Sequence, residues 1–508
     1  MSSEISYYSK PTQELTPEEL QQCSELYSSH YGVYSVDDPR GRANTNVRMS
    51  ANYYKRSYVA PGFRVAIAKS DDMIIGHAFY IRERLDEGIF TWVLQLVVHT
   101  DYRRRGIASR LLHSIWGFSN DCAWGLATTN PCTIKTLERT TLRHATISEI
   151  RRNEELVRKI CARIPYIKDL EIDEDGSRAF TDFYVDAEEI KSEYLRRFGS
   201  DWLLGELKPG QEWVAFTFRD QPFDKDFTAE LQKAISYSEE ILREAYGRMD
   251  MENHPWAKHT GKELDFIFRE LGNPDGKRIL DAGCGQGRYS IEMSRRCSNS
   301  SIDGMDFSEF NINTARSKAE GLGNVSFHLK NLKERIDGRY GLVLCLYDVI
   351  GSLPEEEDNY QILRNLYECT EVGGHIVLSV MNMALTIRNA KQENVGDIGL
   401  HPEILYNLPS DNIMQSTGDI FNPELYAVDT VRNLVYRKEQ FMDAEYLPAE
   451  YIIRDKRYTL DEIRGLVESV GFRVELARFV QAGRWDRPLD ESDPNAKEIL
   501  IVATKPQS

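Results

Sequence analysis

A glycine-rich turn just behind an aspartate is the feature of this chain with the clearest chemical meaning. Asp281 closes an apolar stretch that predicts a buried strand, and Gly283, Gly285 and Gly287 then turn the chain into a helix. Glycines are needed there because a Cβ would keep the backbone away from a ligand. A second predicted strand ends in Asp306, whose carboxylate can accept hydrogen bonds from two ribose hydroxyls. The turn could serve a dinucleotide, but an acid ahead of the first glycine would repel a pyrophosphate and suits a cationic ligand.

Further apolar stretches follow this turn at the spacing of later strands, over 340–346, 371–377 and 470–472. With the glycine turn, they make residues 228–506 resemble the class I S-adenosylmethionine-dependent methyltransferases. The resemblance implies a Rossmann-like seven-stranded domain with S-adenosylmethionine as the methyl donor. It implies that the cofactor is bound by Asp281, Gly283, Gly285, Gly287, Asp306, Asn331 and Leu332. Many relatives have an aspartate in place of Asn331, but an asparagine can still accept a hydrogen bond from the adenine amine.

Three polar residues near the predicted strand tips are candidates for methyl-transfer catalysis: Tyr347, Asp348 and His375. Methyl transfer to an amine or hydroxyl needs mainly alignment, and it needs a base only when the acceptor is protonated. Residues 346–350 contain no N-P-P-Y or D-P-P-Y motif, and this half has no Pro-Cys pair. The sequence therefore disfavours methylation of DNA bases.

The second chemically informative stretch contains three consecutive arginines before Gly106. Apolar alternation predicts strands over 63–69, 73–84 and 89–98, and a helix begins after the glycine. Amide groups at a helix N-terminus, together with arginines, are typical of a pyrophosphate site. Arg103-x-x-Gly106-x-Ala108 resembles the acetyl-CoA signature of the GNAT acetyltransferase superfamily, and the resemblance covers about residues 1–220.

The GNAT resemblance implies a mixed α/β domain in which a splayed pair of strands of the central sheet receives the pantetheine arm of acetyl-CoA. It also implies a backbone N–H near 96–98 that polarises the thioester carbonyl. The implied acetyl-CoA-binding residues are Leu96, Val97, Val98, Arg103, Arg104, Arg105, Gly106, Ile107, Ala108 and Asn130. The tyrosine that many relatives use as the general acid has no equivalent in 133–143, so the acid is absent, supplied by another tyrosine or replaced by water.

The chain is predicted to be an α/β protein of two domains, residues 1–221 and 222–508. A break at 219–224 follows the last predicted strand of the first half. Two insertions, over 143–206 and 383–454, are candidates for substrate binding. The second insertion is rich in tyrosine and predicts either a β-rich lid over a small acceptor or an added antiparallel layer.

Bulk composition excludes several classes of partner. A net charge of −17 argues against general nucleic-acid binding, which depends on clustered lysine and arginine. The first residues lack a signal-peptide pattern, and the apolar stretches are too short to span a bilayer, so we expect a cytoplasmic protein without a membrane partner. The eight cysteines have no spacing typical of a disulfide framework or a metal site.

These patterns predict a bifunctional transferase that acetylates and methylates small amine-bearing metabolites. One alternative is an acceptor that is a protein or a tRNA. Another is a methyltransferase whose GNAT domain binds its cofactor without catalysis, which the missing tyrosine would explain.

Overall fold

The computed structural model describes residues 5–186, 188, 191, 192, 194, 196, 204–246, 254–410, 420–440 and 449–507. The chain forms two compact units. Unit 1 comprises Met1–Ile241 and Gln440–Tyr451, and unit 2 comprises Leu242–Glu439 and Ile452–Ser508. Each unit contains its own large sheet with helices, which confirms the prediction of a two-domain α/β protein.

The large sheet of unit 1 has the order β1-β2-β3-β4-β5-β8-β7-β6. Its strands are β1 (Ile5–Pro11), β2 (Phe63–Ser70), β3 (Met73–Leu85), β4 (Gly88–Val98), β5 (Ala123–Thr128), β6 (Lys168–Ile172), β7 (Ser177–Phe180) and β8 (Gln211–Phe218). All neighbouring strands pair antiparallel except β4 and β5, which are parallel. Asp71, with a φ of 51°, allows the tight turn between β2 and β3.

The parallel strands β4 and β5 separate toward their carboxyl ends. Their pairing ends at Val93 and Leu126, although β4 continues to Val98. Leu94 is an extra residue in β4, a β-bulge where the register with β3 shifts. A bulge bends a strand and increases its twist, which directs the end of β4 away from β5. The predicted splay of the central sheet is therefore confirmed.

The helices of unit 1 cover its sheet. They are α1 (Pro17–His30), α2 (Ala51–Ser57), α3 (Ile107–Trp116), α4 (Pro131–Thr141), α5 (Ile147–Arg152), α6 (Glu154–Cys161) and the first part of α7 (Thr228–Tyr246). Of these helices, α1, α2, α4 and α5 start at side-chain caps. At the start of α1, Thr16 Oγ1 accepts from the Glu19 N–H at 3.1 Å, and Glu19 Oε2 accepts from the Thr16 N–H at 2.8 Å. This capping box satisfies N–H groups that the helix itself leaves unpaired.

Unit 2 contains a seven-stranded sheet of order β11-β10-β9-β12-β13-β19-β18 and a four-stranded sheet of order β14-β15-β16-β17. The strands are β9 (Arg278–Ala282), β10 (Ser301–Asp306), β11 (Val325–Leu329), β12 (Tyr340–Cys345), β13 (Thr370–Met381), β14 (Val395–Gly396), β15 (Tyr426–Asp429), β16 (Leu434–Gln440), β17 (Glu450–Lys456), β18 (Arg473–Val480) and β19 (Glu498–Thr504). In the larger sheet, β19 runs antiparallel to both neighbours and the other pairs are parallel.

Helices cover both faces of this sheet, as a mostly parallel sheet requires. They are α8 (Thr260–Leu271), α9 (Arg288–Arg296), α10 (Glu309–Lys318), α11 (Glu356–Cys369), α12 (Met383–Asn389), α13 (Pro402–Asn407) and α14 (Leu460–Ser469). The central strand β12 is buried along its whole length. The four-stranded sheet lies in the segment between β13 and α14, where the sequence predicted a β-rich insertion. Of the helices in the described ranges, none combines the length and the apolar character needed to cross a membrane.

The compact units do not divide the chain at the predicted boundary after residue 221. Ser238 in α7 contacts His113 in α3 through a 2.8 Å hydrogen bond between Oγ and Nε2, which places the start of α7 in unit 1. A late segment also belongs to unit 1: the Phe118 N–H donates to the Glu450 carbonyl at 2.6 Å, and Tyr451 donates to the Ser114 carbonyl at 2.8 Å. The sequence pattern missed both additions because they depend on tertiary contacts. That residues 1–221 and 222–508 each fold alone stays a prediction.

Candidate active sites

The glycine turn of unit 2 joins β9 to α9. Gly283, Gly285 and Gly287 have φ angles of 73°, 52° and 85°, which side chains rarely adopt. The N–H groups of Gly283 and Cys284 donate to the Met305 carbonyl at 2.8 and 2.9 Å, so the turn is pinned to the end of β10. A Cβ at Gly283 would lie 2.3 Å from Val349, whereas space within 4 Å of a Cβ at Gly285 is open. A Cβ at Gly287 would lie 2.8 Å from the Phe327 ring, so two glycines of the turn are packed and Gly285 faces free space.

The Asp281 side chain accepts hydrogen bonds from Ser290 in the first turn of α9. Its Oδ2 accepts from the Ser290 N–H at 3.1 Å and from Ser290 Oγ at 2.5 Å. The side chain is 3% exposed, and burial raises the pKa of Asp281 to about 6. A buried carboxylate whose ionised form is disfavoured gains from a nearby positive charge. This environment suits the cationic end of a ligand.

Asp306 ends β10 beside the same turn. One carboxylate oxygen accepts from the Gly285 N–H at 3.0 Å, and the other accepts from the Ser308 N–H at 2.9 Å and from Asn311 Nδ2 at 3.3 Å. These donors fix the orientation of the carboxylate. Burial raises the pKa of Asp306 above its ordinary value. The structure thus brings Asp281, the three glycines and Asp306 together at the carboxyl ends of β9 and β10.

Asn331 and Leu332 follow β11 at the same edge of the sheet. Leu332 is buried at 7% exposure. Asn331 is exposed, and its Oδ1 accepts from the Lys333 N–H at 3.0 Å. The amide oxygen of Asn331 therefore already accepts a hydrogen bond within a turn. The predicted contact with adenine would have to use the rest of the Asn331 side chain or its backbone.

Tyr347 and Asp348 follow β12 and have left-handed φ angles of 60° and 64°. Backbone strain of this kind is common where side chains are directed into a functional site. The Tyr347 hydroxyl donates to Glu263 Oε1 at 2.6 Å, and its ring lies 4.4 Å from the Arg288 guanidinium carbon. Burial raises the pKa of Tyr347 well above its ordinary value. Tyr347 is therefore a hydrogen-bond donor and not a base.

Glu263 is a site residue that the sequence analysis missed. It lies in α8 and is fully buried. It accepts hydrogen bonds from Tyr289, Tyr347 and the Gly483 N–H, the last at 2.8 Å, and Arg288 Nη1 lies 3.9 Å from its Oε2. The sequence signal for this role is a glutamate next to Leu264 on the apolar face of α8. The residues that donate hydrogen bonds to Glu263 come from distant segments, so the sequence did not reveal them.

Glu498 is a second missed carboxyl group at this edge. It is 5% exposed and pairs in register with Met381, the last residue of β13. Within the described part of the chain, its buried Oε2 has no hydrogen-bond partner. Burial, with the nearby charge of Glu263, raises the pKa of Glu498 to about 8. The group can exchange a proton near neutral pH.

His375 does not join this group of residues. It pairs in register with Leu342 and Thr504, several positions before the carboxyl end of β13. Its ring lies 3.8 Å from Glu475 on β18. The sequence placed His375 near the strand tips because the preceding glycines resemble a turn, but β13 begins already at Thr370.

In unit 1 the turn before α3 brings the predicted pyrophosphate residues together. Arg104 and Gly106 have φ angles of 65° and 79°, and the first N–H groups of a helix have no partner within it. Arg103 was predicted to bind the cofactor, but its guanidinium donates hydrogen bonds to two backbone carbonyls, those of Val98, at 3.1 Å, and His30. Arg103 thereby ties the turn to the end of β4, while Arg104 and Arg105 are exposed.

The other predicted acetyl-CoA residues border this turn. Leu96, Val97 and Val98 form the end of β4 beyond its pairing with β5. Ile107 and Ala108 open α3. Asn130 caps α4, because its Oδ1 accepts from the Cys132 N–H at 2.9 Å.

Part of α7 packs against α3, whereas its sequence pattern had predicted a helix of the methyltransferase domain. Arg110 in α3 lies 3.1 Å from Glu240 and 4.8 Å from the centre of the Tyr237 ring. Burial lowers the pKa of His113 to about 3, so His113 is neutral in its bond to Ser238. The sequence analysis assigned α7 to the other domain because its amphipathic pattern does not reveal its partner.

A buried carboxyl group, Glu212, was also missed in unit 1. It lies near the start of β8 and is 5% exposed. Burial raises the pKa of Glu212 to about 7. Among the described residues, no group of three or more histidine, cysteine, aspartate or glutamate side chains could hold a metal ion.

Family comparisons identify a domain in each unit. A family described as "Acetyltransferase (GNAT) domain" matches residues 61–144, and one described as "Methyltransferase domain" matches residues 273–423. The chain contains a GNAT acetyltransferase domain and a methyltransferase domain. Both predicted resemblances are confirmed, and both domains are of transferase families. A methyltransferase domain of this fold uses S-adenosylmethionine and a GNAT domain uses acetyl-CoA, so the chain has a site for each cofactor.

Similar curated proteins are methyltransferases. A ubiquinone biosynthesis O-methyltransferase from Acinetobacter baylyi is 29% identical over 148 residues, which is 28% of this chain and 60% of that protein. The enzyme of the same name from Alkalilimnicola ehrlichii is 30% identical over 123 residues, which is 23% of this chain and 47% of that protein. The matched region thus spans less than two thirds of either relative.

The solved structures to which the chain is similar include methyltransferases of low sequence identity. The CcbJ methyltransferase from Streptomyces caelestis is 16% identical, with a TM-score of 0.38 over 52% of this chain and 98% of that one. The N-methyltransferase NodS from Bradyrhizobium japonicum is 10% identical, with a TM-score of 0.31 over 53% of this chain and 98% of that one.

Proposed function

We propose that the protein is a bifunctional transferase that acetylates and methylates small amine-bearing metabolites. The observation that carries this proposal is a separate turn into a helix N-terminus in each domain, at Gly106 and at Gly283–Gly287. The acetyl-transfer site would lie within residues 1–221 and the methyl-transfer site within 222–508. Both cofactors are cytoplasmic metabolites, and we assign the reactions to the cytoplasm.

For methyl transfer, bound S-adenosylmethionine would supply an electrophilic methyl group. Asp306 would accept hydrogen bonds from the ribose hydroxyls, and its fixed orientation supports this role. Asp281 and the glycine turn would bind the methionine part. Leu332 would pack against the adenine, and Asn331 would contact its edge.

The acceptor end of the methyl site would be formed by Tyr347, Asp348 and Glu498. Methyl transfer to an amine requires the nitrogen lone pair, so a protonated amine must first lose a proton. Glu498 suits this task because its Oε2 is unpaired among the described residues and burial raises its pKa to about 8. Glu263, which accepts hydrogen bonds from Tyr289, Tyr347 and the Gly483 N–H, would hold Tyr347 in place. We call this set of hydrogen bonds the Glu263 network.

For acetyl transfer, the N-terminus of α3 with Arg104, Arg105, Gly106, Ile107 and Ala108 would bind the pyrophosphate. Bound acetyl-CoA would supply an activated thioester. Backbone groups of Leu96–Val98 would hold it between the splayed strands, where an N–H can stabilise the developing oxyanion. Arg103 and Asn130 would support the site by fixing its turns.

Isotope labelling of both donors tests the proposal. The full chain is incubated with a metabolite extract, acetyl-CoA carrying a ¹³C-acetyl group and S-adenosylmethionine carrying a trideuterated methyl group. We expect small amines that gain either label, as measured by mass spectrometry. Asp306→Asn should remove the methyl label alone, and Gly106→Val should remove the acetyl label alone. Label found only in protein or tRNA would contradict the small-molecule acceptor.

A second candidate function is a methyltransferase whose GNAT domain binds acetyl-CoA without transferring its acetyl group. It is favoured by one observation, the absence of tyrosine from α4. Acetyl-CoA binding with no acetylated product in the labelling experiment would support it.

A further inference from the structure

The helix α7 has one buried face, and that face packs against α3. Leu231, Ile235 and Ser238 are each exposed by 1% or less, and their spacing places them on the same side of the helix. Ser238 Oγ lies 2.8 Å from Nε2 of His113 in α3. Tyr237 is next to this face and is half-buried. The packing of α7 therefore holds the Tyr237 side chain beside α3.

The hydroxyl of Tyr237 lies beside the first turn of α3. A Cβ added to Gly106, the residue directly before α3, would be 3.2 Å from Tyr237 Oη. The Arg110 N–H donates to the Gly106 carbonyl at 3.0 Å. The N–H groups of residues 107–109 precede this bond and have no partner within the helix. The hydroxyl is thus close to the amide groups that are proposed to bind the acetyl-CoA pyrophosphate.

Arg110 holds the ring of Tyr237 in place. Its guanidinium carbon lies 4.8 Å from the centre of that ring and 5.4 Å from the centre of the Tyr7 ring in β1. Both of its terminal nitrogens contact the Glu240 carboxylate, Nη1 at 3.1 Å and Nη2 at 3.2 Å. The His113 ring lies 6.0 Å from the Tyr237 ring. These contacts fix the direction of the hydroxyl in the ligand-free domain.

The Tyr237 hydroxyl has no acceptor in the described part of the chain. Its ring makes the contacts given above, but no described residue accepts a hydrogen bond from Oη. A phenolic hydroxyl can donate one hydrogen bond. A ring that is fixed by packing, with a donor that is not used, suits an acceptor oxygen on a bound ligand.

The charges around the hydroxyl favour an anionic ligand. Arg104 and Arg105 are exposed at the turn, and the helix N-terminus adds a partial positive charge. Glu240 alone would repel a phosphate, but its two contacts with Arg110 balance its charge. The α7 side of the turn therefore presents a hydroxyl donor without an unpaired negative charge.

We propose that Tyr237 is a cofactor-binding residue of the acetyltransferase domain, and that its hydroxyl donates a hydrogen bond to the pyrophosphate of coenzyme A. The inference rests on the pyrophosphate position proposed above, at the start of α3. It extends the cofactor site beyond residue 221, into the helix that follows the GNAT sheet.

The contact should contribute measurably to affinity. Hydrogen bonds to charged oxygens are stronger than those between neutral groups. Because packing already fixes the Tyr237 ring, little conformational freedom is lost when the ligand binds. The pyrophosphate is remote from the thioester, so the loss of this bond should raise KM for acetyl-CoA with little change in kcat.

Calorimetry with coenzyme A tests the contact in the full chain. Tyr237→Phe keeps the ring beside Arg110 and removes only the hydroxyl. It should weaken the binding of coenzyme A about 10- to 100-fold, the range for a hydrogen bond to a charged group. Tyr53→Phe, at a tyrosine of α2 that is 45% exposed, is the matched control and should bind like the wild type.

Dephospho-coenzyme A identifies the phosphate group that accepts the hydrogen bond. This compound keeps the pyrophosphate and lacks the 3′-phosphate. Tyr237→Phe should weaken its binding by the same factor as for coenzyme A. A loss of affinity for coenzyme A alone would assign the hydroxyl to the 3′-phosphate and overturn the proposal.

Urea unfolding of the ligand-free chain separates a binding role from a structural role. Since no described residue accepts from the Tyr237 hydroxyl, Tyr237→Phe should unfold at the same urea concentration as the wild type. Its affinity for S-adenosylmethionine should also be unchanged. A lower urea midpoint with wild-type affinity for coenzyme A would show that the hydroxyl stabilises the fold instead, contrary to the proposal.

Gly106→Val separates this inference from the proposed function. If Gly106→Val abolishes coenzyme A binding while Tyr237→Phe binds as tightly as the wild type, or more tightly, the pyrophosphate position is supported and the role of Tyr237 is wrong. If both folded variants bind coenzyme A like the wild type, the pyrophosphate position itself is wrong.

Discussion

The hydroxyl of Tyr237 lies over Gly106 at the start of α3. A Cβ built on Gly106 would be 3.2 Å from Tyr237 Oη, and the glycine itself has a φ of 79°. α7 thus reaches the turn that is proposed to bind the acetyl-CoA pyrophosphate. The first helix after the GNAT sheet therefore contacts the turn before α3 and is more than a linker.

Gly106→Val should abolish acetyl-CoA binding and leave S-adenosylmethionine binding intact. The left-handed backbone costs a side chain about 1–2 kcal/mol, and the branched side chain would crowd Tyr237 and the helix N-terminus. Calorimetry with each cofactor measures both affinities. Gly41→Val is the matched control, because Gly41 has a φ of 69° and nothing within 4 Å of an added Cβ. Unchanged acetyl-CoA affinity in folded Gly106→Val would refute the pyrophosphate site.

Asp306→Asn should weaken S-adenosylmethionine binding by about 10- to 100-fold, because a charge-assisted bond to the ribose is lost. Asp303 on the same strand is the control. It accepts from Arg278, at 2.7 Å, and from Tyr340, at 2.9 Å, so Asp303→Asn should lower the free energy of unfolding by about 1–3 kcal/mol with little effect on cofactor affinity. The reverse pattern would show that the two aspartates have been assigned the wrong roles.

Asp281→Asn should stabilise the ligand-free methyltransferase domain at pH 7.5 but not at pH 4. Burial raises the pKa of Asp281 to about 6, so ionisation is less favourable in the folded than in the unfolded state. The stabilising effect of the protonated form is complete below the ordinary aspartate pKa and is lost as pH rises to about 6. The difference is about 2–3 kcal/mol. Urea unfolding at both pH values measures it, with Asp337→Asn at an exposed site as control.

An equal effect of Asp281→Asn at pH 4 and pH 7.5 would contradict the raised pKa of Asp281. Cofactor affinity should fall in the same variant, since the asparagine lacks the negative charge that favours a cationic ligand. A gain in stability together with a loss of binding is typical of a residue kept for function.

Local sequence predicted the glycine turn and Asp306 well, because those residues are fixed by their spacing along two consecutive βα units. Glu263 and Glu498 could not be predicted in the same way. They lie more than two hundred residues apart in the chain, and only the packing of α8 and the antiparallel pairing of β19 bring them to one edge of the sheet. For His375 the prediction failed in the opposite way. The residue type suits catalysis, but His375 lies near the beginning of β13, away from that edge of the sheet.

Tyr347→Phe should lower methyl-transfer kcat/KM and reduce the free energy of unfolding by about 1–3 kcal/mol. The phenyl ring can still contact Arg288, but Glu263 loses a donor at 2.6 Å and remains buried. Chemical denaturation and methyl-transfer assays measure the two effects. Tyr360→Phe, at a half-buried tyrosine in α11, is the control. Wild-type stability and activity in Tyr347→Phe would mean that the hydroxyl does not hold the Glu263 network.

Residues 1–221 expressed alone should be less stable than residues 1–246, and both should be less stable than unit 1 in the full chain. The shorter piece lacks Ser238, the partner of His113, and both pieces lack Glu450, the partner of Phe118. Thermal unfolding and acetyl-CoA binding compare the three proteins. Equal stability of all three would support the boundary after residue 221. It would also show that the contacts of Ser238 and Glu450 do not stabilise unit 1.

The late segment that completes unit 1 has a consequence for synthesis on the ribosome. Unit 1 includes residues up to Ile241 and then Gln440–Tyr451. At about 5–20 residues per second, the ribosome needs roughly 10–40 s to pass from one to the other. During that interval the backbone of Gly117 and Phe118 lacks its pairing partner, Glu450 at the start of β17. Most of unit 1 thus emerges before unit 2, but unit 1 is completed only after most of the methyltransferase sequence has been translated.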